Sequence, residues 1–430
     1  MAGVADDTRT FIEAWLECFQ DSCDAHGEEA LIIPDLDLNN MSYTPSPKKR
    51  TRLASGVVDL EATPRRAVGG LSEASIGDAA SDSNSITTSS SRHGGSASPK
   101  KREIALRLAT DFPVRREHIS SMQGPTLLMQ DLARLRTASV IPASMKDSVT
   151  KDSSWANPPN DSWFYDTPAL EDNDGEHADK YIYQRLKTIQ RKTIQCTQRM
   201  EHEAGWNDSV HSSLLELALD GERYPNVSYR NVTQCRIYPE LRDPDPFLVD
   251  AKADYAMFLE PPNDSKLAMS LLRYRQLRPA CHRATHIQLS DEASTPVAIG
   301  IETKSSKSDG SIMGSAQLAT WLRAQFRHLE SLPNHGSQGL PIIPIILVQG
   351  AAWRVDFAQR TESCTVIWEG FNIGSSDEIL GCYRIYAGLL RLARWCREEF
   401  WPWWEQALAV PQSQFQPAPE GGASQLGLYD

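Results

Sequence analysis

The sequence predicts a mixed α/β protein, an α+β arrangement in which a central mixed sheet is flanked by helices. Three observations carry that prediction. Three short apolar segments, VTQCRIY (232–238), KADYAMFL (252–259) and PVAIGIETK (296–304), succeed one another as strands without crossover helices, which argues against a doubly wound parallel sheet. The stretch SAQLATWLRAQFRHL (315–329) then repeats apolar residues at helical spacing, and PIIPIILVQG (341–350) reads as a further strand. A long helical pattern from Tyr181 to about Leu219 precedes them, so the order is helix, three strands, helix, strand.

Residues 1–35 carry one short helical pattern, with Phe11, Trp15, Leu16 and Phe19 near one face. From 36 to 115, Ser, Gly, Pro and Ala dominate, and such a stretch buries too little apolar surface to offset chain entropy, so it is read as disordered. It contains the clusters Ser46–Arg52 (SPKKRTR), Thr63–Arg66 (TPRR) and Ser98–Arg102 (SPKKR). Compact basic clusters on flexible chain suit an import receptor, which predicts the nucleus, with the cytoplasm as the alternative. The adjoining Ser-Pro and Thr-Pro steps suggest phosphorylation that would weaken the positive charge. Residues 116–180 form a helical and irregular lead-in, with LLMQDLARL helical and WANPPNDSWFYDTPALEDNDGE irregular.

The compact domain is placed at 181–408. Its first helix is expected to break near Gly205. WRVDFA and CTVIWEGF supply additional strands, and a final helix spans about 376–399. Residues 409–430 are read as a flexible tail.

The chain has 430 residues and a formal net charge of −12. That length holds one large domain or two ordinary ones. No apolar run reaches about 18 residues, so no membrane-spanning helix is expected, and the start MAGVADDTRT lacks the basic-then-apolar order of a signal peptide. The negative charge counts against a protein that coats DNA with its whole surface, yet leaves room for a local basic groove. The 8 cysteines are scattered with no CxxC pair, as expected of reduced thiols in an intracellular protein. Cys281, His282 and His286 lie close together, but no fourth ligand accompanies them, so they are read as ordinary side chains and not as a zinc site.

The chemistry is concentrated at the end of the third strand. Alternate strand residues share a face: Val297, Ile299 and Ile301 point one way, and Ala298, Gly300, Glu302 and Lys304 the other. The second set begins small and ends charged, which leaves space beside a carboxylate and an ammonium. Asp254 lies among apolar residues in the preceding strand, where an unpaired carboxylate is costly to bury. A divalent cation would compensate, because Mg2+ takes one or two carboxylates together with waters and phosphate oxygens. Asp254 and Glu302 would supply the carboxylates and Thr303 a backbone oxygen. Lys304 would orient or help deprotonate a water, or stabilise charge on phosphate. The bland alternative is an internal salt-bridge network.

Upstream, Glu203, Asn207 and His211 recur at steps of four beside the apolar stripe Trp206, Val210, Leu214 and Leu217. Glu203 either reaches the metal through water or lies on a solvated face. On the following helix Gln317 either hydrogen-bonds a phosphate or orients Lys304, or it is a surface amide. Trp321 either stacks on a base or is buried, the commoner outcome.

These segments together resemble the PD-(D/E)XK nuclease superfamily, and more narrowly the fungal PD-(D/E)XK nuclease-like domain proteins. The resemblance rests on GWNDSVHSSLL, KADYAMFLEP, IGIETKSS with the Gln317 helix, VIWEGFNIGSS and LLRLARWCREEFWPWW, and covers roughly 120–408. It implies a restriction-endonuclease-like αβββαβ core around a four-stranded mixed sheet, with additional strands and a C-terminal helix. It further implies Asp254 as the motif's first acid, Glu302 as the second, Lys304 as its lysine, Glu203 as the first-helix acid and Gln317 as the polar residue after the motif. Ala253 stands where the family name has proline.

The function expected is hydrolysis of phosphodiester bonds, in DNA, with Mg2+ or Mn2+. Arg384, Arg391, Arg394 and Arg397 on the last helix either contact phosphates or are simply solvated. The competing expectation is a non-catalytic module that reuses the fold to bind protein or nucleic acid. The acidic net charge and the aromatic run FWPWW (400–404), as a partner surface or a cap on the core, bear on that choice. No glycine-rich phosphate loop, zinc cluster or nucleophile triad supports another enzyme class.

Overall fold

The computed structural model describes residues 98–152, 159–165, 174–220, 223–248, 251–277, 283–290, 294–306, 310–337 and 339–409. The expected N-terminal helix, the clusters Ser46–Arg52 and Thr63–Arg66, Cys281, His282 and nearly all of the C-terminal tail lie outside them.

The described chain opens with α1 (Pro99–Leu108) and β1 (Val114–His118). Next come α2 (Leu127–Arg134), β2 (Ile141–Pro142), α3 (Lys146–Thr150) and β3 (Phe164–Tyr165). The long helix α4 (Asp174–Arg199) is followed by α5 (Glu203–Trp206) and α6 (Ser212–Leu219), which are joined by the π-helical turn Asn207–His211. The central elements are β4 (Val227–Asn231), β5 (Tyr255–Leu259), α7 (Lys266–Leu277), β6 (Val297–Lys304), α8 (Gly310–Glu330) and β7 (Ile343–Gln349). β8 (Ala352–Arg360), β9 (Thr365–Ser375), α9 (Ile379–Trp395), a π-turn at Cys396–Phe400 and α10 (Trp401–Ala407) complete the chain.

Seven strands form one sheet in the order β1-β9-β8-β7-β6-β5-β4. β4, β5 and β6 pair antiparallel, and β6 pairs parallel with β7. A parallel neighbour needs a crossover, and α8 provides it. This is the expected αβββαβ core on a mixed sheet. β8 and β9 extend it antiparallel, and β1 closes the edge parallel to β9.

Every residue of β5 and β6 is buried, as expected of central strands covered on both faces. On one face Ala256, Phe258 and Val297 pack with Trp321 and Ala324 of α8. Tyr255 points to the opposite face, where its hydroxyl meets Ser212 Oγ of α6 at 2.9 Å.

Four local expectations differ. The first core strand is Val227–Asn231 and not VTQCRIY. The Asn231 carboxamide accepts from both N and Oγ1 of Thr233, an Asx turn that ends the strand, and Ile237 makes only a single bridge to Ile287. The first helix breaks at Met200 and not near Gly205. Met200 adopts φ 56°, with Glu201 N bonded to Cys196 O and Met200 N to Thr197 O, a Schellman ending built on a non-glycine residue. A helix that was not expected, α7, lies between β5 and β6. It is an excursion and not a crossover, since those strands remain antiparallel.

Finally, residues 98–115, placed with the disordered stretch, hold α1 and the start of β1. Ser98 caps α1 by accepting from Lys101 N at 3.4 Å, and Pro99 takes the first helical turn, where its missing N–H is harmless. Arg102 of the third basic cluster is buried and donates to Phe247 O at 3.4 Å. Buried Arg323 of α8 ties the segment down, bonding Asp243 Oδ2 at 2.7 Å, Asp111 O at 2.7 Å and the Phe112 carbonyl. A composition average over the whole stretch hides this small anchored part.

The aromatic run near the C-terminus is part of the core. Phe400, Trp403 and Trp404 are buried, and Trp403 Nε1 donates to Gly339 O at 2.9 Å.

Candidate active site at the end of strand β6

The site forms where β5 begins and β6 ends. Pairing sets Tyr255 opposite Ile301, which brings Asp254 beside the Glu302–Lys304 end of β6. Asp254 N donates to Ile301 O at 3.0 Å, so its backbone is fixed by the sheet. Asp254 Oδ2 accepts from both the backbone N and the Oγ1 of Thr303, each at 2.8 Å. The buried carboxylate is thus paired with donors from the neighbouring strand.

Glu302 and Lys304 share the other face, under the start of α8. Gly314 makes that close approach feasible: a Cβ there would lie 2.7 Å from Leu347 Cδ1 and 3.2 Å from Glu302 Cγ. Lys304 Nζ bonds Glu302 Oε1 at 2.5 Å, Thr303 O at 2.7 Å and Glu203 Oε2 at 3.2 Å. Three acceptors around one nitrogen use all three hydrogens of an ammonium, so Lys304 is present as a cation. Burial by itself would lower its pKa; Glu302 first, then Asp254 and Glu203, more than offset that and hold it above the usual lysine value. Burial pushes the Glu302 carboxyl well above the ordinary range and Asp254 adds to the rise, with Lys304 opposing it.

Glu302 and Lys304 are almost fully buried, whereas the Glu203 side chain is 40% exposed. Glu203 is therefore the open side of the site. It belongs to the stripe of four-residue spacing read from the sequence, and the whole stripe faces the sheet. One terminal atom of the Asn207 amide lies 2.7 Å from Thr303 Oγ1 and 2.9 Å from His211 Nδ1. His211 Nε2 lies 2.9 Å from Gly350 O, and burial lowers its pKa to about 4, so the ring is neutral near pH 7. Asn207 and His211 were visible as spacing, but not as neighbours of the strand end. The missing information was which sheet edge the stripe would meet.

Gln317 is half-buried on α8, and its side chain makes no hydrogen bond to these groups among the described residues. Trp321 is buried against Gly300 and stacks on no exposed surface. Arg384, Arg391 and Arg394 already face Arg136 O, Asp131 and Glu398, whereas Arg397 is exposed.

Among the described residues no three His, Cys, Asp or Glu side chains converge as a ready-made metal cage. Mg2+ does not require one, since one or two carboxylates with waters and phosphate suffice. The donor set fits that chemistry. Glu302 Oε2 is buried without a hydrogen-bond partner among the described residues, and the Lys304 ammonium bonds two carboxylates while the negative charge of Asp254 acts on it from nearby.

The sequence profile of the PD-(D/E)XK nuclease superfamily matches residues 148–401. The chain belongs to the PD-(D/E)XK nuclease superfamily. Its mixed sheet, crossover helix and strand-end cluster agree with that membership, which suggests a nuclease-like function; members typically use divalent metals. No curated protein and no solved structure gives a significant match to the chain. The match begins after α1 and β1, so the edge strand that completes this superfamily member's sheet lies outside the matched region. No helix among the described residues is long and apolar enough to cross a membrane.

Proposed function

We propose that this chain is a divalent-metal-dependent nuclease that hydrolyses phosphodiester bonds in DNA, with Mg2+ as the metal and Mn2+ as a substitute. The observation that carries the proposal is the convergence of Asp254, Glu302 and Lys304 at one strand end, with a Glu302 oxygen unpartnered among the described residues. Asp254, Glu302 and the Thr303 carbonyl would hold the ion. Such an ion, when bound, polarises a phosphoryl oxygen and makes a water more acidic. Lys304, with its hydrogens engaged as an ammonium, acts as a fixed positive charge for the developing phosphoryl charge and not as a base. Glu203 keeps that ammonium in place from the open side. Gln317, one turn beyond Gly314, is the candidate phosphate contact.

One observation favours a second reading. Lys304 already engages Glu302 Oε1 and Thr303 O, two of the oxygens that a metal would use. A strand end neutralised in this way suits a non-catalytic module that binds protein or nucleic acid. In either reading the basic clusters support a nuclear location, although Arg102 of the third cluster is committed to the fold.

The test is calorimetric titration of Mg2+ and Mn2+ into wild type and Asp254→Asn, with labelled single- and double-stranded DNA and RNA incubated alongside. Metal binding and cleavage that are lost together in the variant support the nuclease. Nucleic acid bound without any metal uptake overturns it in favour of the binding module.

A further inference from the structure

We infer that Asn207 and His211 are positioning residues that fix the hydrogen-bond direction at Asp254, through a single chain of hydrogen bonds that links the Gly350 carbonyl to the Asp254 carboxylate. The inference rests on the metal-site reading above and deepens it, because it identifies what holds one of the metal's carboxylates.

The hydrogen-bond chain starts at the turn between β7 and β8. Gly350 N donates to Lys304 O at 2.7 Å, so the turn is tied to the end of β6. Gly350 takes φ 55°, and a Cβ there would lie 2.9 Å from Ser306 Cβ, so glycine is needed for this closeness. Its carbonyl can only accept. The His211 Nε2 that meets it at 2.9 Å must therefore carry the hydrogen.

His211 is fully buried between Trp206, stacked at 5.8 Å, and Trp353, edge-on at 5.8 Å. In that setting the ring is neutral and has one proton. With the proton on Nε2, Nδ1 is an acceptor and needs a donor.

The partner of Nδ1 is the Asn207 amide. Drawn as Oδ1, the atom facing Nδ1 would meet a ring nitrogen with no proton to give. It would also claim the Thr303 hydroxyl hydrogen, which Asp254 Oδ2 requires. Turned by half a rotation, the amide presents NH2, whose two hydrogens serve the two acceptors, Nδ1 and Thr303 Oγ1. The Thr303 hydroxyl is then left a single direction for its own hydrogen, toward Asp254 Oδ2. Each hydrogen along the chain then has its own acceptor: His211 Nε2–H on Gly350 O, the two Asn207 amide hydrogens on His211 Nδ1 and Thr303 Oγ1, and the Thr303 hydroxyl on Asp254 Oδ2.

The consequence for Asp254 is specific. Oδ2 receives two hydrogen bonds from Thr303, and Oδ1 receives none from the described residues. One oxygen is anchored and the other is presented. Partners that orient a metal's ligands in this way commonly change metal affinity by about 10–100-fold when removed.

The test uses the full chain and Mn2+ alone as probe. Nitrogen NMR of labelled histidine at pH 7 reads the His211 tautomer without metal, and a neutral ring protonated on Nε2 is expected. A ring protonated on Nδ1 overturns the chain. Mn2+ titration is then compared for wild type, Thr303→Val, His211→Phe and His211→Asn, with metal-free melting curves confirming that each variant is folded. Thr303→Val is expected to weaken Mn2+ by about tenfold. His211→Phe should weaken it several-fold, and His211→Asn, which keeps an acceptor near the Nδ1 position, should bind more tightly than His211→Phe. Thr303→Val and His211→Phe that both bind within about twofold of wild type overturn the proposal. Wild type that takes up no Mn2+ overturns the metal reading itself, and the positioning role with it.

Discussion

Lys304 Nζ and Glu203 Oε2 stand 3.2 Å apart across 101 residues of chain, one buried at the end of β6 and the other open to solvent on α5. This contact joins the helix that precedes the core to the strand that ends at the site. It also separates two kinds of substitution. Lys304→Met removes the cation that bonds both Glu203 and Glu302 and should lower DNA cleavage by at least about 100-fold. Glu203→Gln keeps a hydrogen-bonding group at the open rim and should lower cleavage less. Because the Glu203 side is exposed, its ion pair should contribute no more than about 1 kcal/mol to stability. Cleavage rates and urea midpoints for both variants check this, and equal losses of activity would contradict it.

The buried arginine of α8 makes a different prediction. Arg323 holds Asp243 Oδ2 at 2.7 Å, with both side chains almost fully buried, and also grips the Asp111–Phe112 backbone. Arg323→Met should destabilise the protein by about 1–3 kcal/mol, because buried Asp243 loses one of its two guanidinium partners and keeps Arg327. Adding Asp243→Leu should recover part of that loss. Proteolysis should cut the variant faster between α1 and β1, where the arginine secures the chain. Chemical denaturation and limited digestion read the two effects separately.

Acid should weaken the fold through its buried histidines. Burial lowers His211 and His328 to about 4 and His286 well below its ordinary value. Below pH 6.5 the unfolded chain takes up protons that the folded one refuses, so stability is complete above about 6.5 and falls as pH drops toward 4. His211 and His328 each account for at most about 3 kcal/mol of that fall. Glu302 and Asp356, whose carboxyls burial raises, act in the opposite direction over part of the same range. The histidine share is therefore read from His328→Phe, whose stability should decline less between pH 6.5 and 4.5 than that of wild type.

Two glycines offer a paired test of backbone geometry. Gly350 has φ 55° and no room for a Cβ beside Ser306, whereas a Cβ at Gly336 meets nothing within 4 Å. Gly350→Ala should cost about 1–3 kcal/mol, and Gly336→Ala should fall within about 0.5 kcal/mol of wild type. Equal melting temperatures for the two would show that the β7–β8 turn tolerates a side chain.

The sequence by itself determined the order of the core elements and the identity of the charged cluster. The short apolar runs at 252–259 and 296–304 read as strands buried on both faces, and the helical period at 315–329 supplies the crossover that the parallel β7 needs. Glu302 and Lys304 had to share a face because they stand two positions apart on a strand, with Thr303 between them. The four-residue spacing of Glu203, Asn207 and His211 likewise placed them together on a helix.

Tertiary structure decided the rest. VTQCRIY alternates as well as VSYRN does, and it was pairing with β5, ended by the Asn231 turn, that selected Val227–Asn231. The segment at 98–115 resembles its low-complexity surroundings in composition, and contacts with residues more than 200 positions away, Arg323 and Arg327 on Asp111 and β9 beside β1, show it to be part of the fold. Whether Asn207 faced water or Thr303 depended on which sheet edge the helix covered. Local pattern fixes which side chains lie together on one element; which element they meet is set by packing between segments distant in sequence, and no local period encodes that.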